Sequence, residues 1–93
     1  MRRIKVSHTS RRDFKCVKAD PSQRDIDSLF EDVTNLLIRD VLLPARCVDH
    51  AMKGKWKGYR DCHIKPDVVL IYRKQDVDIL ELVRLGSHSE LGI

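Results

Sequence analysis

Four histidines are the side chains best suited to move protons near neutral pH, and three of them fall in the second half of the chain beside polar neighbours. His50 follows Asp49, His63 lies two positions after Asp61, and His88 sits between Ser87 and Ser89. Asp67 follows His63 across Pro66, so a tight turn there folds its carboxylate back toward that strand. An imidazole titrates near about 6.5 and serves as acid or base at cellular pH. Metal-free cleavage of RNA uses both roles: a base takes the ribose 2′-hydroxyl proton, and an acid protonates the leaving 5′-oxygen. Positioned acid–base groups contribute about 10²–10⁴-fold. Arg60, Lys65, Arg73 and Arg84 are available to stabilise charge building on a phosphate. Residue types alone favour surface or packing histidines over catalysis by about two to one.

Other chemistries fit less well. Cys47 and His50 with Cys62 or His63 offer zinc-ligand types. However, Cys62 and His63 are adjacent and point to opposite faces of a strand, and no second paired cluster follows. The three cysteines form no C-x-x-C pair and read as reduced thiols. Cys16 falls on a helix face and is expected in the core. No base is assigned to any thiol, which leaves out a cysteine nucleophile. Lys53, Lys55, Lys57 and Arg60 interleave with Trp56 and Tyr59, a pattern that can grip phosphates and stack on bases. Trp56 equally suits the edge of a small core, and Tyr59, at a strand start, is expected inside it.

The elements that must position these groups belong to a single domain, residues 1–93, since 93 residues make one small core. Apolar residues at 42% and charged residues at 34% exclude a disordered chain. No apolar run approaches the roughly 18–20 residues that cross a bilayer, and the first residues carry no export-type apolar segment. A cytoplasmic protein without membrane contact is expected. Net charge is +4, unevenly spread. Residues 1–24 hold eight basic and two acidic groups, residues 25–52 two and six, and residues 53–93 eight and six. Basic ends around an acidic middle favour polyanions only weakly.

Ile4 and Val6 alternate with Arg3 and Lys5, a period-two strand. Thr9 or Ser10 is expected to cap a short helix running to about Lys18, with Phe14 and Val17 one turn apart. Asp20, Pro21 and Gln23 read as cap, first position and capping-box partner of a second helix. Its apolar face is Ile26, Leu29, Phe30, Val33, Leu36 and Leu37, and Pro44 ends it near Val41 or Leu43. Residues 45–57 read as loop. Strands are expected at Gly58–Ile64, Asp67–Arg73 and Val77–Leu85, joined by hairpins. By parity, Tyr59, Asp61 and His63 share a face, and Leu80, Leu82 and Arg84 share another. The order β-α-α-β-β-β predicts an α+β fold, two helices on a mainly antiparallel four-stranded sheet.

Residues 48–67, reading VDHAMKGKWKGYRDCHIKPD, are followed by LIY at 70–72 and LVRLGSHSEL at 82–91. Together these resemble the YafQ-type branch of the RelE/ParE toxin superfamily over about the last half of the chain. The resemblance implies a bacterial type II toxin, an endoribonuclease that enters the ribosomal A site and cuts mRNA without metal or cofactor. It places the catalytic set on His50, His63, Asp67 and His88. It implies His88 as acid, Asp67 or His63 as base or orienting group, and His50 and Arg84 at the scissile phosphate. Arg60, Lys53, Lys55, Lys57 and Trp56 would bind RNA. The partners implied are the 70S ribosome with its mRNA and a cognate antitoxin, with an acidic C-terminal segment and a ribbon-helix-helix half, in a heterotetramer. Operator DNA would be reached only through that antitoxin. An alternative on the same fold is a ParE-like inhibitor of a protein target such as gyrase. One departure is Gly92, where the family commonly has an aromatic residue; stacking worth about 1–3 kcal/mol would be absent there.

Overall fold

The computed structural model describes residues 2–93, and its chain order is β1 (Arg3–Val6), α1 (His8–Ala19), α2 (Ile26–Ile38), β2 (His50–Ala51), β3 (Arg60–Lys65), β4 (Val68–Lys74), β5 (Ile79–Gly86) and α3 (His88–Leu91). The five strands form one sheet in the order β1-β5-β4-β3-β2. β1 runs parallel to β5, and the other neighbours are antiparallel. The expected α+β architecture therefore holds, with one strand more than the four expected and, in α3, a short helix beyond the two expected. The extra strand is β2, two residues inside the segment read as loop; it is too short to show a periodicity.

Helix starts depart from the sequence expectation in a consistent way. Ser7, not Thr9 or Ser10, caps α1, its hydroxyl accepting the Ser10 N–H at 3.0 Å. Asp20 does cap a turn, accepting the Ser22 N–H at 3.0 Å, but that turn is a separate 3₁₀ piece, Pro21–Gln23. α2 begins afresh at Ile26 without a side-chain cap. Its end comes before Pro44 can act. Asp40 takes a left-handed conformation (φ 56°), its N–H bonds Leu37 O at 3.2 Å, and the Val41 N–H bonds Leu36 O at 2.9 Å. That is a Schellman ending, with Asp in the place glycine usually takes.

Both helices cover one face of the sheet. Phe14 and Val17 from α1 and Ile26, Leu29, Phe30, Val33 and Leu37 from α2 pack on Cys62, Ile64, Leu70, Tyr72, Leu80, Leu82 and Leu85. The Phe14 and Phe30 rings meet at 5.0 Å. The opposite face carries a smaller apolar cluster of Val69, Ile71 and Leu91, flanked by Met52, Trp56, Tyr59 and Val83. Cys16, expected in the core, is exposed. A register shift at Ile71/Tyr72 leaves Val83 unpaired on β5, a bulge that breaks the simple alternation. Leu85, not Arg84, consequently joins Leu80 and Leu82 under the helices.

Candidate active site

The open face of the sheet collects three of the four residues expected to carry chemistry. His63 projects from β3, and its ring lies 5.0 Å from that of His88. His50 on β2 lines a shallow cavity of about 340 Å³ together with Lys53, Asp61 and His88. Asp67 takes another position. It sits in the two-residue turn between β3 and β4 and accepts a 2.8 Å hydrogen bond from Gln23 Nε2. It lines a separate, larger cleft of about 510 Å³ with Asp13, Arg84, Ser87 and Glu90.

His88 is placed by local chemistry that can be read residue by residue. Ser87 caps α3, accepting the Glu90 N–H at 3.2 Å, while Glu90 Oε1 accepts the Ser87 N–H at 2.9 Å. This reciprocal pair satisfies two otherwise orphaned donors. Leu91, buried, pins the short helix to the sheet. Gly86 permits the close approach, since a Cβ there would meet Glu90 Oε1 at 3.3 Å. Gly92 adopts the left-handed conformation that ends the helix (φ 71°). An aromatic residue at that position would have to bear this strain, which accounts physically for glycine there.

His50 is placed by strand pairing and by strain. It stands opposite Asp61 in the β2–β3 register. Its Nδ1 lies 2.9 Å from Asp61 Oδ1 and 2.9 Å from the Val48 carbonyl oxygen. Val48 itself is left-handed (φ 47°, ψ 47°), a conformation that costs a β-branched residue about 1–2 kcal/mol. Its side chain is exposed, so packing does not account for the choice of valine. Val48→Asn, which tolerates this conformation, is expected to raise unfolding free energy by about 1 kcal/mol. Urea denaturation measures it, and an unchanged or lower midpoint would show that Val48 is not strained.

The expected phosphate-binding groups divide. Lys53 borders the histidine cavity, and Lys55 and Lys57 are exposed on the loop beyond it. Arg84 is held by Asp13 through bonds of 2.7 and 3.3 Å, and this ion pair pushes its pKa upward. Arg60 does not join the histidines. It belongs to a cavity lined by Asp49, Tyr72 and Leu37, donating to Asp49 at 3.2 Å, while the Tyr72 hydroxyl donates to the same oxygen at 2.6 Å. Burial, followed by the hydrogen bond to Asp49, pushes the Tyr72 phenol up. Trp56 is half-buried against Tyr59, ring centres 5.5 Å apart and edge to face. Tyr59 also lies under the Arg73 guanidinium at 4.8 Å; expected inside the core, it is only half-buried, flanking the smaller cluster just before β3 begins.

Three supporting residues went unassigned on sequence grounds. Asp13 and Gln23 are separated from their partners by long stretches of chain, and no spacing rule reaches them. Asp61 did leave a signal, since strand parity sets it on the same face as His63.

A family model described as the bacterial toxin of type II toxin-antitoxin systems, YafQ, matches residues 2–92. The chain belongs to the YafQ toxin family. Among its relatives, the mRNA interferase toxin YafQ of Escherichia coli K12 is 40% identical over 73 residues, 78% of either chain. A copper-bound mutant toxin from Helicobacter pylori superposes with a TM-score of 0.85 at 41% identity, covering 98% of this chain and 99% of that one. YafQ in the E. coli DinJ-YafQ toxin-antitoxin complex superposes with a TM-score of 0.81 at 35% identity, covering 97% and 96%. The two solved toxins therefore share the fold of this chain over nearly its whole length.

Proposed function

We propose that this YafQ-family chain is an endoribonuclease that cuts mRNA on the ribosome by acid–base catalysis without a metal. The observation that carries the reading is the convergence of His50, His63 and His88 on one open sheet face. Two histidines suffice for the two proton transfers of 2′-hydroxyl attack, and a third can orient one of them. His88, exposed at the start of a pinned helix, donates to the departing 5′-oxygen. His63, half-buried behind it, orients that ring. The products are a 2′,3′-cyclic phosphate, or the 3′-phosphate from its hydrolysis, and a 5′-hydroxyl.

Asp67 and Arg84 act from the cleft that Ser87 and Glu90 also line, where Gln23 and Asp13 hold them. Lys53, Lys55 and Lys57 supply positive charge for the RNA backbone, with Trp56 bracing their loop. The curated E. coli relative is named an mRNA interferase, which supports the activity. The DinJ-YafQ complex supports a cognate antitoxin. We take that partner to be a ribbon-helix-helix protein with an acidic tail, assembled with the toxin as a heterotetramer in the bacterial cytoplasm and carrying it to operator DNA.

Primer extension on a defined mRNA in a reconstituted translation reaction tests this. Codon-phased cuts are expected with ribosomes and none without them. A chelator selective for zinc and copper, which leaves magnesium and hence the ribosome intact, is expected to change nothing. Cuts on free RNA alone would overturn the ribosome requirement, and chelator-sensitive cuts would overturn the metal-free chemistry. Intact mRNA together with inhibited supercoiling by purified gyrase would move the chain to the inhibitor reading.

A further inference from the structure

We propose that Asp61 is a positioning residue: with the Val48 carbonyl it fixes His50 as the Nδ1–H tautomer, leaving Nε2 as the base that takes the 2′-hydroxyl proton. The inference rests on the ribonuclease reading above and assigns a role within it. Two oxygens, Val48 O and Asp61 Oδ1, each lie 2.9 Å from His50 Nδ1. A ring nitrogen facing two acceptors must carry the proton, because a lone pair there would meet lone pairs on both sides. The second ring nitrogen, Nε2, then keeps its lone pair, on a ring that lines the cavity His50 shares with Lys53 and His88.

Asp61 itself shows why the arrangement is specific. It is 4% exposed, and among the described residues its Oδ1 makes no fully aligned hydrogen bond. The Nδ1–H points along the Val48 carbonyl, and the carboxylate oxygen lies beside that bond as a buried negative charge. An unpaired buried carboxylate is costly unless a cation or donor stands against it, and the neighbour here is the His50 ring. The Val48 conformation is the second half of the device. A β-branched residue held left-handed, with its carbonyl on a histidine two positions ahead, is strain located at a functional group.

In the step itself, Nε2 of His50 takes the 2′-hydroxyl proton and the 2′-oxygen forms a bond to phosphorus. The bond from phosphorus to the 5′-oxygen breaks, and that oxygen takes a proton from His88. His50 is then an imidazolium against the Asp61 carboxylate, which stabilises the charge made in the reaction. Besides Asp61, the charged or titratable groups that share the His50 cavity are Lys53 from the loop and His88 from α3, and His63 from β3 stands against His88.

Long-range proton–nitrogen correlation NMR of the full chain reads the tautomer directly. The neutral His50 ring is expected to show a protonated Nδ1 and a pyridine-like Nε2; the reverse pattern overturns the inference. In single-turnover cleavage on the ribosome, Asp61→Asn is expected to lower the rate by about 10²–10⁴-fold, as loss of the orienting carboxylate does in other acid–base sites, with KM for the mRNA-loaded ribosome within about twofold. A wild-type rate from folded Asp61→Asn overturns it. Should that variant not fold, the wild-type tautomer decides alone. His50→Ala keeping full rate while His88→Ala is inactive would remove this assignment and leave the ribonuclease reading standing. A wild-type chain that cuts no mRNA would remove the reading beneath it.

Discussion

His88→Ala is expected to slow mRNA cleavage on the ribosome by about 10²–10⁴-fold, the usual worth of a positioned acid. The fold should be nearly untouched, because the His88 side chain is exposed and α3 is held by Ser87, Glu90 and Leu91. Loss of activity would therefore be loss of chemistry. The acid role can be separated from simple binding by the leaving group. A 5′-bridging sulfur leaves without protonation, so an mRNA carrying one at the cut position should be cleaved by His88→Ala at close to the wild-type rate. Equal losses on the oxygen and sulfur substrates would mean that His88 does something other than deliver this proton.

The largest expected effect on stability comes from Leu70→Ala, about 2–5 kcal/mol. Leu70 is fully buried on β4, flanked by Cys62 across one ladder and Leu85 across the other. Strands fix its backbone on both sides and the helices close over it, so the space left by the missing carbons cannot collapse. Against a total stability of about 5–15 kcal/mol for a domain of this kind, that is a large fraction. Urea denaturation followed by circular dichroism measures it, with Leu42→Ala as a control near zero, since Leu42 is 91% exposed. A cost below about 1 kcal/mol at Leu70 would show that the core relaxes around the gap.

Much of this was legible in the residues, and the parts that were not share a cause. The helical face from Ile26 to Leu37 and the apolar run of β4 announce themselves by period and composition. The GSHSEL segment holds cap, capping-box partner and anchor at Ser87, Glu90 and Leu91, yet a helix of four residues is too short to show a period, and the order β-α-α-β-β-β leaves residues 87–93 as a tail. β2 is not legible either, because a two-residue strand exists only through its pairing with β3. The His50–Asp61 contact depends on that pairing and was hidden with it. Asp20 and Gln23 show the opposite case: the capping pattern is sound, but the chain uses it for one 3₁₀ turn and sends the Gln23 side chain to Asp67. Parity sets Arg84 on one face with Leu80 and Leu82 without saying which face the helices cover; the bulge separates it from them, and bulges leave no mark in the pattern. Arg60 was grouped with the cations of its own segment, whereas alternate residues of a strand serve opposite faces and Asp49 claims it.

The parallel pairing of β1 with β5 has a consequence for the order in which this chain can fold. Ser7, at the end of β1, bonds Val83 across 76 positions of sequence, and the whole of the rest of the sheet lies between them. Closing a loop of that length carries an entropic cost of about 4 kcal/mol beyond a constant. The ladders of β3 with β4 and β4 with β5 are hairpins and can form early, whereas β1 has no neighbour until β5 is in place. β5 is also the strand that leads directly into His88. A chain still lacking it has an unpaired first strand and only part of its histidine cluster, so completion of the sheet and completion of the reactive face are one late, non-local event.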